Sequence, residues 1–246
     1  MNAQPGLGWQ LRRLPVCAST EIELDRWLAQ RQVRGLPAQP HLLARLAVQA
    51  RRQRFGHGQQ GRPWLSPAGG LWLSAAFPWA EVLPGSAALG LAVAVGLAQQ
   101  LEALGLPVQL KWPNDLLVQE RKLAGLLPRL RLRGQQIRWA QVGVGLNGCN
   151  RVPPGAISVA EALGARRHHP QARPQRLLGL VLSGLDWAVA HAHQPEPVRL
   201  AAEARLWRPA AGWRHEGQLW QVRGLTADGR LLLARGGQEL ALQRYF

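Results

Sequence analysis

The longest strand-like stretch of this chain turns back on itself. Lys122 to Arg133 and Gln136 to Asn147 are apolar runs broken by polar residues, and Arg133-Gly134-Gln135 between them carries the glycine of a tight reversal. Strands of that length satisfy their backbone groups only as neighbours in a ladder. An antiparallel sheet is therefore expected at the core, and the rest of the chain must be arranged around it.

Upstream, Ala18-Ser19-Thr20-Glu21 opens an amphipathic helix to about Ala29, with Ser19 or Thr20 as N-cap and Glu21 and Glu23 near its positive end. His41 to Ala50 reads as a strand, and Leu71, Leu73, Ala75 and Phe77 alternate as a half-buried strand should. Arg51 to Pro67 between them is a long, polar, glycine-rich loop. Ser86 to Leu104 is a helix stopped by Gly105-Leu106-Pro107, followed by short strands at Val108 to Lys111 and Leu116 to Gln119 and a turn at Glu120-Arg121. Gln175 to His191 and Val198 to Leu206 are helices. From Trp207 on, His215-Glu216-Gly217, Ala227-Asp228-Gly229 and Gly236-Gly237 divide short strands at hairpin spacing. The predicted class is α+β: a mixed, largely antiparallel sheet with helices over residues 1–205, then a small β-barrel over 206–246.

Several function classes fall away. Cys17 and Cys149 have no ligand spacing and no disulfide framework, which points to the cytoplasm and away from a protein-bound metal. Met1 to Val16 has no export signal, and Val82 to Leu101, with Pro84 and Gln99-Gln100, reads as a buried helix rather than a membrane span. The net charge of +16 comes from arginines scattered along the chain, so specific nucleic-acid binding is not expected.

Two of the 30 cations are lysine, Lys111 and Lys122, and they bracket one short segment. Where arginine serves every ordinary solvated charge, a repeated lysine marks a place needing a compact ammonium. The second candidate region is Gly56-His57-Gly58-Gln59-Gln60-Gly61. Its spacing matches a dinucleotide-binding turn, but Arg62-Pro63-Trp64-Leu65-Ser66-Pro67 follows instead of a helix, and the chain has no P-loop. With Arg51, Arg52, Arg54 and Arg62 beside it, this stretch is either an anion clamp or a solvated surface loop.

Lys111-Trp112-Pro113-Asn114-Asp115 followed by Arg121-Lys122-Leu123-Ala124-Gly125 resembles the signature of the biotin protein ligases. Ser19-Thr20 resembles the family's Ser-Thr-Asn, Gln53 through Trp64 its Gln-x-x-Gly-Arg-Gly-Arg-x-Gly-Arg-x-Trp loop, and Gly143-Val144-Gly145-Leu146-Asn147 its Gly-x-Gly-x-Asn strand. The resemblance implies a biotin/lipoate ligase-like catalytic domain with an SH3-like C-terminal barrel. It implies that biotin and ATP, with Mg²⁺, form biotinyl-5′-adenylate, and that a lysine of a biotin carboxyl carrier protein then takes the biotin. Residue by residue it implies Lys122 as the catalytic cation; Ser19, Thr20, Gln53, Gly56, His57, Gly58, Gln59 and Lys122 around biotin; and Arg62, Trp64, Lys111, Asn114 and Asp115 around ATP. Asp115 is the one candidate to touch Mg²⁺, and Lys111 either contacts phosphate or pairs with Asp115. Only 18 residues precede Ser19, so the family's N-terminal DNA-binding domain is not expected. Three letters depart from the pattern: His57 and Gln59 stand where the family has arginines, and Glu21 where it has asparagine. Rival readings are a ligase of lipoyl-type domains and a non-catalytic binder of biotin, carrier or nucleic acid.

Overall fold

The computed structural model describes residues 8–33, 45–79, 86–133, 136–166 and 168–243. The expected hairpin is its centre: β6 (Arg121–Arg133) pairs antiparallel with β7 (Gln136–Leu146), with a bulge at Arg131/Leu132. Gly134 and Gln135 of the expected turn lie outside the described residues. On one side of the hairpin stand β3 (Leu71–Phe77), β2 (Arg45–Ala50) and β1 (Trp9–Leu14); on the other, β5 (Asp115–Val118) and β4 (Gln109–Lys111). The sheet order is β1-β2-β3-β7-β6-β5-β4. Every pair is antiparallel except β1 and β2, which are parallel and joined by α1 (Thr20–Val33) crossing over one face. His41 to Ala44 of the expected second strand, Val82 to Gly85 of the expected buried helix and residues 244–246 of the expected barrel lie outside the described residues.

Both faces of the sheet are covered. α2 (Ser86–Glu102) and α4 (Pro174–Ala190) pack on one face against Leu73, Phe77, Leu126, Val142 and Val144. On the other, α1 sets Leu24, Trp27 and Leu28 against Leu46, Val48, Ala76 and Trp139. This corrects the half-buried reading of β3, all seven residues of which are buried. Alternation marks which residues share a face; it cannot tell that α1 covers the second one. The turn expected at Glu120-Arg121 lies one residue earlier: Gln119 and Glu120 take the positive φ values of 52° and 57°, and Val118 faces Arg121. Strand β1 is an addition to the predicted elements; Trp9, Leu11 and Leu14 give a short and irregular signal.

After α3 (Val159–Ala162) and α4, helix α5 (Pro195–Glu203) leads to residues 205–207, which run along the outer edge of β4 through Leu110 N to Arg205 O (2.7 Å) and Trp207 N to Leu110 O (2.8 Å). The rest forms a four-stranded antiparallel sheet, β8 (Trp213–His215), β9 (Gln218–Leu225), β10 (Leu231–Arg235) and β11 (Gln238–Leu242), with turns at the expected places.

Helices α2 and α4 cross at two glycines. A Cβ on Gly96 would lie 2.2 Å from the Gly184 carbonyl oxygen, backbone that cannot move aside. Gly96→Val should therefore destabilise the fold by about 1–3 kcal/mol or more, read by urea unfolding. Gly179, exposed on α4 with open space around it, should tolerate alanine with a gain of about 0.5–1 kcal/mol.

Candidate active site

Strand alternation puts Gly125 and Leu127 of β6, Gly143 and Gly145 of β7 and Ser74 of β3 on the sheet face away from α2 and α4, with Gly125 opposite Gly145 and Leu127 opposite Gly143. Beside α1 these small residues leave a hollow of about 730 Å³. From Ser74 on β3 to Asp115 on β5 it crosses two intervening strands, or about 14 Å at normal strand spacing. A volume in this range suits one or two small substrates. The indole of Trp64 lies directly on the floor: a Cβ on Gly145 would be 2.6 Å from its Nε1, and one on Gly125 would be 3.0 Å from its ring. Glycine at both positions is what lets an aromatic plane rest on the sheet.

The β3 end of the hollow is hydroxylic. Ser19 caps α1, accepting from Glu21 N at 3.2 Å. Thr20 donates its backbone N–H (2.7 Å) and its Oγ1–H (3.0 Å) to Gln53 Oε1, and its hydroxyl lies 2.8 Å from Ser74 Oγ. Gln53 Nε2 donates to Ser66 Oγ at 2.9 Å. Ser19, Thr20, Ser66 and Ser74 are all buried, so the chain is fixed in place while its hydroxyl oxygens keep unused acceptor capacity.

The β5 end is charged. Lys122 Nζ sits 2.8 Å from Asp115 Oδ1 and 4.9 Å above the Trp64 ring. Its backbone is held on both sides, by Lys122 N to Gly155 O and Ile157 N to Lys122 O, each 3.0 Å. Asn114 donates to Leu126 O (2.6 Å) and so holds the turn after the cis Trp112–Pro113 peptide. Lys111 lies cross-strand from Asp115 but does not pair with it; its ammonium lies 5.2 Å over the ring of Trp207. Lys122 is nearer and takes the carboxylate instead.

The glycine-spaced loop is a small hairpin, bridged at Gln53/Ser66 and His57/Pro63 and closed by Gly58 N to Arg62 O (2.8 Å). Its inner side lines the hollow through His57, Gly58, Gln59, Arg62 and Trp64. Of the arginines expected as a clamp, only Arg62 lines the hollow; Arg51, Arg52 and Arg54 are exposed outside it. Gly56 is the one expected site residue that does not line the hollow: it is packed behind the loop, where a Cβ would meet Ser66 Oγ at 2.5 Å and Trp64 O at 2.6 Å. Ser19, Thr20, Gln53, Lys111, Asn114, Asp115 and Lys122 all line it.

Three contributors are missing from the residues the sequence assigns to the site. Ser74 looks like one more strand residue. Glu21 reads as a helix-end charge, yet its carboxylate faces the hollow between His57 and Arg129. Trp213 reaches the wall from the second sheet, edge-on to Trp112 and Trp207 at 6.5 Å each. Among the described residues no group of three or more His, Cys, Asp or Glu could hold a metal ion, and no helix is long and apolar enough to cross a membrane.

The profile of the Biotin/lipoate A/B protein ligase family matches residues 37–147. The biotin–[acetyl-CoA-carboxylase] ligase of Paracoccus denitrificans is 32% identical over 191 residues, covering 71% of this chain and 78% of that one. The chain belongs to this family. The bifunctional ligase/repressor BirA of Escherichia coli is 38% identical over 120 residues, 45% of this chain and 37% of BirA, so the match spans little more than a third of that relative. In fold, the family resemblance extends over nearly the whole chain. The biotin protein ligase of Aquifex aeolicus in complex with biotin and ATP superposes with a TM-score of 0.70 at 23% identity, covering 94% of each chain. The Helicobacter pylori biotin acetyl coenzyme A carboxylase synthetase with bound biotinylated ATP gives 0.62 at 21%, covering 94% of this chain and 99% of that one.

Cys17, just before the α1 cap, has its thiol pushed up to about 11 by burial, with the charge of Glu23 adding to it. Iodoacetamide at pH 8 should therefore leave Cys17 unmodified in the folded chain and alkylate it in urea, as read by peptide mass. The unfolded chain ionises this thiol first, so stability falls as pH rises from 9.0 toward about 11.

Proposed function

We propose that this chain is an ATP-dependent biotin ligase acting on a lysine of a biotin carboxyl carrier protein. The observation that carries the proposal is the convergence of the hydrogen-bonded chain Gln53–Thr20–Ser74, Lys122 on Trp64, and Lys111 in a single hollow. In this reading the polar head of biotin takes the spare hydroxyl acceptors of Ser19 and Thr20 and the second Nε2–H of Gln53, beside the loop residues His57, Gly58 and Gln59. Gly56 supports that loop from behind by its close packing. The nucleotide lies toward Arg62, Trp64, Lys111, Asn114 and Asp115.

The biotin carboxylate attacks the α-phosphorus of ATP; a P–O bond forms, the bond to pyrophosphate breaks, and the mixed anhydride biotinyl-5′-adenylate results. A lysine amine of the carrier then attacks the acyl carbon, AMP departs and the amine loses its proton. Two anions must meet in the first step, so positioning and placed positive charge do most of the catalysis. Lys122, oriented by Asp115 and the Trp64 face, supplies the charge. Mg²⁺ carried by the triphosphate would neutralise phosphate charge, and of the two carboxylates lining the hollow, Glu21 and Asp115, Asp115 beside Lys122 would be the one to hold it. The indole of Trp64 and the loop keep water from the anhydride. We further propose a division into a catalytic domain of residues 1–205 and a C-terminal domain of 206–246, on the support of the separate second sheet, and a cytoplasmic location, on the support of the two free thiols.

The test is purified protein with ATP, Mg²⁺, biotin and a carrier domain, read by the mass shift of the carrier, with lipoate and octanoate as parallel acyl donors. Transfer of lipoate or octanoate but not biotin would overturn the assignment. Lys122→Ala should slow adenylate formation by 10²–10³-fold, roughly 3–4 kcal/mol, with the thermal midpoint little changed. Lys122→Arg should not restore it, because the guanidinium is larger and spreads its charge. Pyrophosphate release from Lys122→Ala at the wild-type rate would remove Lys122 from its role.

A further inference from the structure

Three letters that depart from the family's motifs, or lie outside them, meet at one point. Glu21 Oε2 lies 2.9 Å from His57 Nε2 and Glu21 Oε1 lies 2.5 Å from Arg129 Nη1. A carboxylate only accepts, so the imidazole and the guanidinium are both donors, and both oxygens of Glu21 are engaged. The glutamate side chain is 16% exposed, against 31% for His57 and 36% for Arg129, so the acceptor is the shielded member.

The contact is one rung of a ladder. Four residues on along α1, Asp25 receives Arg131 Nη2 at 3.1 Å, and Gln141 of β7 donates to the same carboxylate at 2.7 Å. Residues i and i+4 of a helix are about 6 Å apart along its axis. Residues i and i+2 of a strand are about 6.6 Å apart. Glu21 and Asp25 on α1 thus stand in step with Arg129 and Arg131 on β6, and the helix is docked on the sheet at both rungs. Only the first rung has a third member from the loop over the hollow. His57 sits at the base of the loop's tip, paired with Pro63 across the small hairpin.

We propose that Glu21 and Arg129 are positioning residues that clamp the loop through His57 and hold it shaped before any ligand arrives. A guanidinium at residue 57 would do for the loop what His57 does here, provided a carboxylate stood at residue 21, so the clamp depends on the glutamate at residue 21. Arg129 pairs with Glu21 in its shielded place and offsets its charge, so that the carboxylate does not repel an anionic substrate lying in the same hollow. The clamp itself requires nothing of the function. Its effect on biotin rests on the ligase reading.

Hydrogen exchange read by mass spectrometry on the full chain without ligand tests the clamp. Glu21→Gln should speed exchange of the amides in residues 57–62 by about tenfold, equivalent to about 1.4 kcal/mol. Arg131→Met, which breaks only the second rung, should lower the thermal midpoint and leave those amides protected. His57→Arg should keep the protection while Glu21 is present and lose it when combined with Glu21→Gln, and Arg129→Met is the substitute if Glu21→Gln does not fold. In steady state, Glu21→Gln should raise KM for biotin by more than it lowers kcat. Unchanged exchange in Glu21→Gln, or equal loop opening in Arg131→Met, would overturn the clamp and leave only helix docking. Faster loop exchange in Glu21→Gln, alongside a wild type that adenylates no biotin, would support the clamp and overturn the ligase reading alone.

Discussion

The register between β6 and β7 is the constraint on which the rest of this molecule depends. With Gly125 opposite Gly145 and Leu127 opposite Gly143, one face of the hairpin is a shallow floor; with Ala124 opposite Leu146 and Leu126 opposite Val144, the other is the apolar surface on which α2 and α4 pack. A slip by one residue would turn the leucines and valines into the hollow and the glycines into the core. The same pairing thus decides stability on one face and chemistry on the other. Trp64 makes the link physical, because its ring occupies the space that side chains at Gly125 and Gly145 would take.

Charge in the hollow is arranged by neutralisation at fixed points. Asp115 is answered by Lys122 and Glu21 by Arg129 and His57, so neither carboxylate faces a substrate alone. That leaves Lys111 and Arg62 as the lining cations whose charge no carboxylate meets within salt-bridge distance among the described residues. Lys111 rests over Trp207, which places its ammonium next to the second sheet, and Trp213 of that sheet is itself part of the wall. The C-terminal sheet therefore belongs to the site as well as to the fold. The segment 205–207 that leads to it also shields the open edge of β4.

How much of this was legible depends on how local each feature is. The hairpin, the cap of α1 and the turns of the last sheet follow from residues a few positions apart, and they lie close to where the sequence puts them. The lysine-bracketed segment is legible too, since a compact ammonium cannot be replaced by arginine without changing shape. The misreading of β3 has its cause in distance along the chain. β3 reads as half-buried because the helix that covers its second face, α1, begins at Thr20, on the far side of a strand and a long loop from Leu71. Nothing in the strand's own alternation records that cover.

By itself the sequence determined the mixed, largely antiparallel class, the long hairpin, the small β-rich tail and a set of candidate residues of which all but Gly56 line the hollow, because these rest on period, turn chemistry and short motifs. Tertiary structure alone decided which carboxylate each cation meets. Asp115 pairs with Lys122 and not with its cross-strand neighbour Lys111, Glu21 gathers one partner from a loop and one from a strand, and Arg51, Arg52 and Arg54 turn away from the hollow their neighbours line. The physical reason is range: a helix cap or a turn is settled within a few residues, whereas an ion pair forms only where the packing of distant elements brings two charges within about 4 Å.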